Sequence, residues 1–526
     1  MSAASPMLSD VAPPPVPARR SRLERDLVAN VAGRFWSMGL NLAAVPVYLR
    51  YLGAEAYGLI GLMVLLENIA SLMDSGLGMT LNRELARRTA LIDDGTGDTR
   101  RDVLGTLQVV HWTLALVCGG LVLAGAPLIA RHWVQARTLD AVTITQCLRW
   151  MSLSVTSAVL FSFYQGGLFG VQRQVGVNVV MIVCSTLRIG GSMLALTNVT
   201  AAPQTFFAIQ GVGLAVQVAA SAWMLWAALP AIGRRYRIER KYVREVWRFT
   251  ATVSANAFLT AAVSQVDKVI FSRVLPLAAF GYYTLAGTAA GMLWALVLPL
   301  TAPFFPRFAE LWERRDEVRL AELYHRASQL ITLAVAPAAV VLCAFAYPLL
   351  LVWTRSAETA AQAGPILALL AAGTALNALA SVPAYMQNAA GWPGLVTTFN
   401  VAYALVLFPA IWFAATHFGV IGAAATWAVP NAGYLLVTTP IMHQRLLRGE
   451  LGRFYRADVG GPLLAAIVVG LTFRLAMPAG LGRAAQFAYV FAAGVAIAGV
   501  TLLCLGRLRA LVWAQWRRER RPVRAA

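Results

Sequence analysis

The sequence predicts an all-α polytopic membrane protein with about 14 transmembrane helices: two pseudo-symmetric six-helix lobes around a central cavity, plus two appended helices. Three observations predict it. Hydrophobic residues make up 59% of the 526 and charged residues only 13%, where a soluble chain carries about a quarter. Fourteen apolar runs follow one another, each close to the ~20 residues that cross a ~30 Å hydrocarbon core. A motif near the end of the first run returns near the end of the seventh, at an offset of 223 residues.

In chain order, residues 1–26 form a basic tail expected to be disordered and cytoplasmic. It lacks the apolar core and cleavage site of a signal peptide, so the first spanning helix does the targeting. The runs lie near 27–50, 54–75, 103–130, 141–169, 174–197, 204–230, 247–273, 278–305, 327–353, 360–389, 395–416, 420–441, 459–478 and 485–506. Every second connection is rich in base: Arg83, Arg87, Arg88, Arg100 and Arg101; then Arg234, Arg235, Arg237, Arg240, Lys241 and Arg244; then Arg307, Arg314, Arg315 and Arg319; then Arg445, Arg448, Arg453 and Arg456. The alternate connections carry single residues such as Arg50, Arg273 and Arg355, or the pair Arg131 and Arg137. The positive-inside bias places both termini in the cytoplasm. It also accounts for the formal charge of +20, and with no nucleic-acid-binding motif in the chain, nucleic acid is not a partner.

The repeat sets the domains. Arg50-Tyr-Leu52-Gly53, three residues, then Tyr57-Gly58 matches Arg273-Val-Leu275-Pro276, three residues, then Phe280-Gly281. Tyr164, Gly170 and Asn178 match Tyr385, Gly391 and Asn400 at offsets of 221 to 222. The N-lobe is then 27–230, the basic linker 231–246 and the C-lobe 247–441, with 442–506 appended and 507–526 a basic cytoplasmic tail. Six spans separate the copies, so the lobes are related by an axis along the membrane normal, with the substrate path between them.

Polar groups inside the runs mark that path. Thr252, Asn256, Thr260, Ser264 and Lys268 recur every four residues and form one stripe, with Asp267 on its flank. An ionisable group at membrane depth costs ~2.5–3.5 kcal/mol, so it faces a cavity or a partner. The stripe therefore implies a wet interior, as in a transporter. Span one puts Asn30, Arg34, Asn41 and Tyr48 on one face; span two puts Glu67, Ser71 and Asp74 on another, with Arg83 just beyond. Arg149 lies in span four, and Arg188 lies ~20 Å into span five, too deep to reach the interface along its own stem. Blander readings stand beside these. Arg34 and Arg149 also suit snorkelling, Asp74 and Arg83 suit pairing at a helix end, and His111 suits a hydrogen-bonded helix contact. Asp267 and Lys268 suit mutual neutralisation, although neighbours on a helix do not face each other.

Cationic Arg34, Arg149, Arg188 and Lys268 outnumber the acids, and a cavity of net positive charge suits a phosphate or diphosphate. Glu67, Asp74, Asp267 and Arg83 are the candidates for coupling or gating. The acids either pair the cations when the site is empty or hold a coupling H+ or Na+. Asn30, Asn41, Asn256, Thr260 and Ser264 would line the cavity. No phosphate loop occurs, so transport would be secondary. No cofactor or metal is expected: Cys118, Cys147, Cys184, Cys343 and Cys504 fall inside apolar runs without ligand spacing.

Residues 30–85 resemble the opening of bacterial polysaccharide-biosynthesis flippases of the multidrug/oligosaccharidyl-lipid/polysaccharide exporter superfamily. The matching pieces are Pro46, Tyr48, Leu52-Gly53, Tyr57-Gly58 and Asp74-Ser-Gly76-Leu77. DKVIFSRVLPLAAFGYYTLA (267–286) is similar to that family's seventh span and HFGVIGAAATWAV (417–429) to its twelfth; Pro276 departs from the glycine expected and stiffens the exit of span seven. The resemblance implies alternating access by two lobes. It implies a polyprenyl-diphosphate-linked glycan as substrate in the inner membrane, with polysaccharide polymerase and glycosyltransferases as pathway partners. Two rivals remain. A multidrug exporter would favour an acidic cavity. A membrane-embedded polymerase or ligase, an enzyme, would need a long external loop, whereas the longest here is about a dozen residues near 131–140.

Overall fold

The computed structural model describes residues 18–90, 99–230, 236–301, 303–392, 394–506 and 509. The first half holds α1 (Ala18–Ala90), α2 (Arg100–Leu128), α3 (Ala141–Gly170), α4 (Gln174–Asn198) and α5 (Pro203–Ala228). The second holds α6 (Arg240–Val274), α7 (Leu277–Thr301), α8 (Phe304–Glu313), α9 (Glu317–Ala344), α10 (Ala346–Thr354), α11 (Ala357–Leu379), α12 (Ser381–Ala389) and α13 (Gly394–Gly433). It closes with α14 (Thr439–Leu446), α15 (Leu451–Arg453), α16 (Gly461–Leu475) and α17 (Arg483–Cys504). No strand occurs among the described residues, only one isolated bridge between Gln135 and Pro276.

Among the described residues ten helical segments are long and apolar enough to cross a membrane, and the chain is a multi-pass membrane protein. Ten is fewer than the fourteen runs expected. Two expected runs lie in α1, as two helices joined at the non-helical Gly53 (φ 80), and two in α13, joined at the non-helical Gly419 (φ 60). α3 and α6, which carry the fourth and seventh runs, are not among the ten. The outward side chains are what a lipid solvent selects: Leu121, Leu194, Leu405 and Leu464 are 64–74% exposed.

Where hydrophobic runs meet polar turns, local signals set the helix ends. Asp140, Asp316 and Ser356 each accept a backbone N–H of the first turn at α3, α9 and α11. The two repeat copies break at the same register by different means. Gly53 turns the chain with a positive φ that glycine tolerates. Pro276 instead holds Leu275 extended (φ −90, ψ 149) and ends α6 there.

The repeat also shows in contacts. At the 223-residue offset Ala54 corresponds to Leu277, Gly58 to Gly281 and Gly61 to Thr284. A Cβ on Gly58 would strike the Leu277 carbonyl, one on Gly281 the Ala54 carbonyl, and one on Gly61 the Thr284 side chain. Each copy thus touches the other through the same residues, the signature of a two-fold contact. One apolar core gathers around it, with Tyr48, Tyr57 and Leu59 of α1 against Phe271, Phe280 and Tyr283. Separate cores lie within each half, and α16 and α17 pack on α9 through Val340, Ala466 and Ile497.

Candidate functional site

Two polar clusters sit inside this apolar frame. In the first half, Arg188 of α4 donates from Nη1 to Gln210 Oε1 of α5 at 2.7 Å, and Gln210 Nε2 donates to Ser192 Oγ at 3.2 Å. Ser192 closes the ring by donating to the Arg188 carbonyl at 2.8 Å. The arginine charge acts on Tyr48 and Glu67 of α1. Glu67 Oε1 and Arg188 Nε are both buried with no hydrogen-bond partner. Leaving such groups unmet costs ~1–3 kcal/mol each, more when charged, so the cluster is arranged to receive water, an ion or a ligand atom. Gly213 makes the room: a Cβ there would lie 2.9 Å from Arg188 Cγ. The stem of Arg188 also lines a cavity of about 400 Å³ with Cys184, Leu187, Ile209, Val212 and Val216.

In the second half, Tyr283 Oη of α7 donates to Asp267 Oδ2 of α6 at 2.8 Å, while Asp267 Oδ1 is buried without a partner. Lys268 does not pair with Asp267; its Nζ donates to Gln265 Oε1 at 3.0 Å. Successive residues on a helix diverge by about 100°, which separates the two charges.

The two halves are tied at both ends of the part of α1 that follows the Gly53 kink. At the Gly53 end, Trp133 Nε1 donates to Ser272 Oγ at 3.0 Å and Gln135 Nε2 to the Arg273 carbonyl at 3.0 Å. Glu55 pins the loop, accepting from Arg137 N (2.7 Å), Thr138 N (2.9 Å), Thr138 Oγ1 (2.6 Å) and Leu139 N (3.0 Å). At the far end, Thr80 Oγ1 and Thr250 Oγ1 lie 2.7 Å apart. There Arg88 reaches Glu84 at 3.5 Å and Glu245 at 3.4 Å, and donates to Thr99 Oγ1 at 2.6 Å. A cavity of about 240 Å³ beside it is lined by Thr80, Arg83, Glu84, Arg87, Glu245 and Val246.

Of the residues singled out from sequence, Arg188 and Glu67 share the first cluster, and Asp267 and Lys268 lie on α6 beside the second. Arg83 is exposed at the cavity by the Thr80–Thr250 contact, where Arg88 makes an inter-helix ion pair with Glu245. Arg149 is exposed and has no ion-pair partner among the described residues, which suits the snorkelling reading better than the cavity one. Asn41 is exposed and donates to the Ser37 carbonyl at 2.8 Å. The side chains of Asn30, Arg34, Asp74, Thr252, Asn256, Thr260 and Ser264 lie outside the described residues. His111 is a packing residue, stacked on Phe163 with Nε2 3.0 Å from the Val159 carbonyl.

Sequence reasoning missed Gln210, Arg88 and Glu55. An amide in the middle of an apolar run was a visible signal for Gln210; Arg88 was one of five bases in its connection. Glu55→Ala strands three backbone N–H groups and one hydroxyl, and is expected to lower stability by about 3 kcal/mol in thermal unfolding of the detergent-solubilised protein.

Residues 47–357 match the polysaccharide biosynthesis protein family, and the chain belongs to that family. No curated protein matches it. Its fold is shared with a solved lipid II flippase, MurJ, in an inward closed conformation: TM-score 0.67 and 13% identity over 91% of this chain and 99% of that one. A multidrug resistance MATE family transporter of the MOP superfamily, inward-facing, follows at TM-score 0.60 and 14% identity over 83% and 99%. A single-residue mutant of the Vibrio cholerae MATE transporter VcmN gives 0.52 and 17% over 82% and 97%. The fold is thus one that these transporters share, as the resemblance in the sequence implied.

Proposed function

We propose that the chain is a secondary transporter, a flippase that carries a polyprenyl-diphosphate-linked oligosaccharide across the bacterial inner membrane by alternating access, both termini being cytoplasmic. The observation that carries this is Arg188, a half-buried cation in an apolar helix bundle with its Nε buried and unmet, in a chain of a polysaccharide biosynthesis family. A diphosphate is the anion such a group recognises, through paired charge-assisted hydrogen bonds that a lysine could not form as well. In this reading the Gly53 end faces outward and the Thr80–Thr250 and Arg88–Glu245 contacts close the cytoplasmic mouth. Arg34 and Lys268 would add to the positive charge of the path.

A second reading has its own support. Glu67 Oε1 and Asp267 Oδ1 are buried acceptors without partners, a pattern that also suits a cation-coupled multidrug exporter. Deleting the gene and extracting lipids separates the two. The flippase reading expects a complete lipid-linked repeat unit trapped on the cytoplasmic leaflet. Unchanged lipids with raised drug sensitivity would move the function to the exporter. Alternating access has its own test: in a background freed of the native cysteines, oxidising Thr80→Cys/Thr250→Cys is expected to cut transport at least about tenfold, restored by reductant. Undiminished transport in the cross-linked protein would mean that this contact never opens.

A further inference from the structure

Away from both clusters, an acid–base trio is shut between α9 and the segment leading into α16. His325 is 0% exposed on α9; its Nδ1 meets Asp458 Oδ2, and its Nε2 lies 2.7 Å from Glu450 Oε2. Asp458 is equally buried, and its other oxygen accepts from Gln329 Nε2 at 2.8 Å. Asp458 sits in a widened π turn, Phe454–Gly460, a distortion that recurs at working sites. Glu450 is the member that water can reach, at 31% exposure.

The charged and titratable groups around the trio come from each element packed there. Tyr324 of α9 and His443 of α14 stack nearby, Arg453 of α15 lies 4.0 Å from Glu450, and Tyr455 donates to the Leu435 carbonyl. Glu322 and Arg326 of α9 are exposed. None of these stands between the imidazole and its two carboxylates. An ionised carboxylate only accepts, so each nitrogen–oxygen contact requires a proton between its atoms, and three groups share two protons. Behind them, Tyr324 Oη, Ser328 Oγ and Thr332 Oγ1 follow one face of α9, buried and without hydrogen-bond partners, as is His443 Nε2. Such a row calls for internal water.

We propose that His325, Asp458 and Glu450 form a proton-binding site, filled from water through Glu450, whose proton content sets how tightly the 450–460 segment is held on α9. As pH rises the imidazolium gives a proton to water by way of Glu450. The Nε2 contact, then without a proton between its atoms, loses its ionic character, and the segment loosens while Asp458 keeps its contact with Nδ1. Substrate binding plays no part in this, so the site stands or falls independently of the transport reading.

The test is amide hydrogen exchange on the full-length protein in lipid nanodiscs, with residues 450–460 normalised to α11 to cancel the intrinsic pH dependence of exchange. As pH rises from about 5 to about 8 the wild-type segment is expected to lose at least about tenfold of its relative protection. Glu450→Gln carries no charge, and its amide can accept from a protonated Nε2 or donate to a bare one, so it should flatten the profile. Its position in a partly exposed loop makes it the variant that folds. Asp458→Asn should lower protection at every pH. A flat wild-type profile, or Glu450→Gln following the wild-type curve, overturns the proposal.

Discussion

Arg188→Ala is expected to abolish transport, by at least about a hundredfold or ~2.7 kcal/mol, while the protein remains in the membrane. The arginine makes one strong contact, 2.7 Å to Gln210, and leaves Nε free, so its removal takes away the cation without opening a large void. The groups left behind are Gln210, still bound to Ser192 at 3.2 Å, and Glu67, which has lost the nearest positive charge acting on it. Both lie in a cluster already short of partners, where water can replace the guanidinium. Arg188→Lys should fall between, because an ammonium keeps the charge but not the planar fork that grips two phosphate oxygens. The measurement is the amount of lipid-linked repeat unit on each leaflet, read beside an immunoblot of membrane-inserted protein. Wild-type lipid turnover in Arg188→Ala would remove Arg188 from the substrate path. Loss of the protein in proportion to loss of transport would make the residue structural.

What the sequence disclosed depends on whether a signal was local. Apolar runs, alternating arginines and a motif returning at one offset are local, and they yielded the helical membrane fold and its repeat. Arg188 and Asp267 were legible for the same reason: an ionisable group inside an apolar run is conspicuous wherever the helix goes. Their partners were not. Gln210 meets Arg188 and Tyr283 meets Asp267 only after separate helices pack, and helical periodicity says which face a residue occupies but not what it faces. Arg88 shows the limit from the other side. Five bases in one connection obey the positive-inside rule alike, and the approach of Glu245 from another helix marks Arg88 as a latch. The His325 trio was hidden more deeply, since Glu450 and Asp458 read as an ordinary basic connection until a π turn carries Asp458 into the core. The long helical stretches hold more than one expected run where non-helical backbone at Gly53 and Gly419 joins two helices end to end.

The second large effect lies at the contact between the repeats. Gly281→Ala should cost about 1–3 kcal/mol and suppress transport, because its new Cβ meets atoms that cannot move aside: the Ala54 carbonyl oxygen, and Gly58 N at 3.0 Å. Relief requires α7 to back away from α1, and Phe280 and Tyr283 belong to the shared core on that face. Gly61→Ala should be milder. Its Cβ meets the Thr284 side chain, which has a second helical rotamer available at the expense of its 2.9 Å bond to the Phe280 carbonyl. The informative variant is Gly58→Ala. Gly58 is the repeat-mate of Gly281, and its Cβ strikes the Leu277 carbonyl just as that of Gly281 strikes Ala54. If the two halves meet on a pseudo-two-fold axis, Gly58→Ala and Gly281→Ala lower the melting temperature by similar amounts, and the double variant costs less than the two added, since one separation of the helices relieves both overlaps. Thermal unfolding of the three variants and the double decides it. Unequal single effects that simply add would mean that the two glycines sit in unrelated environments and that the repeat does not govern how the halves pack.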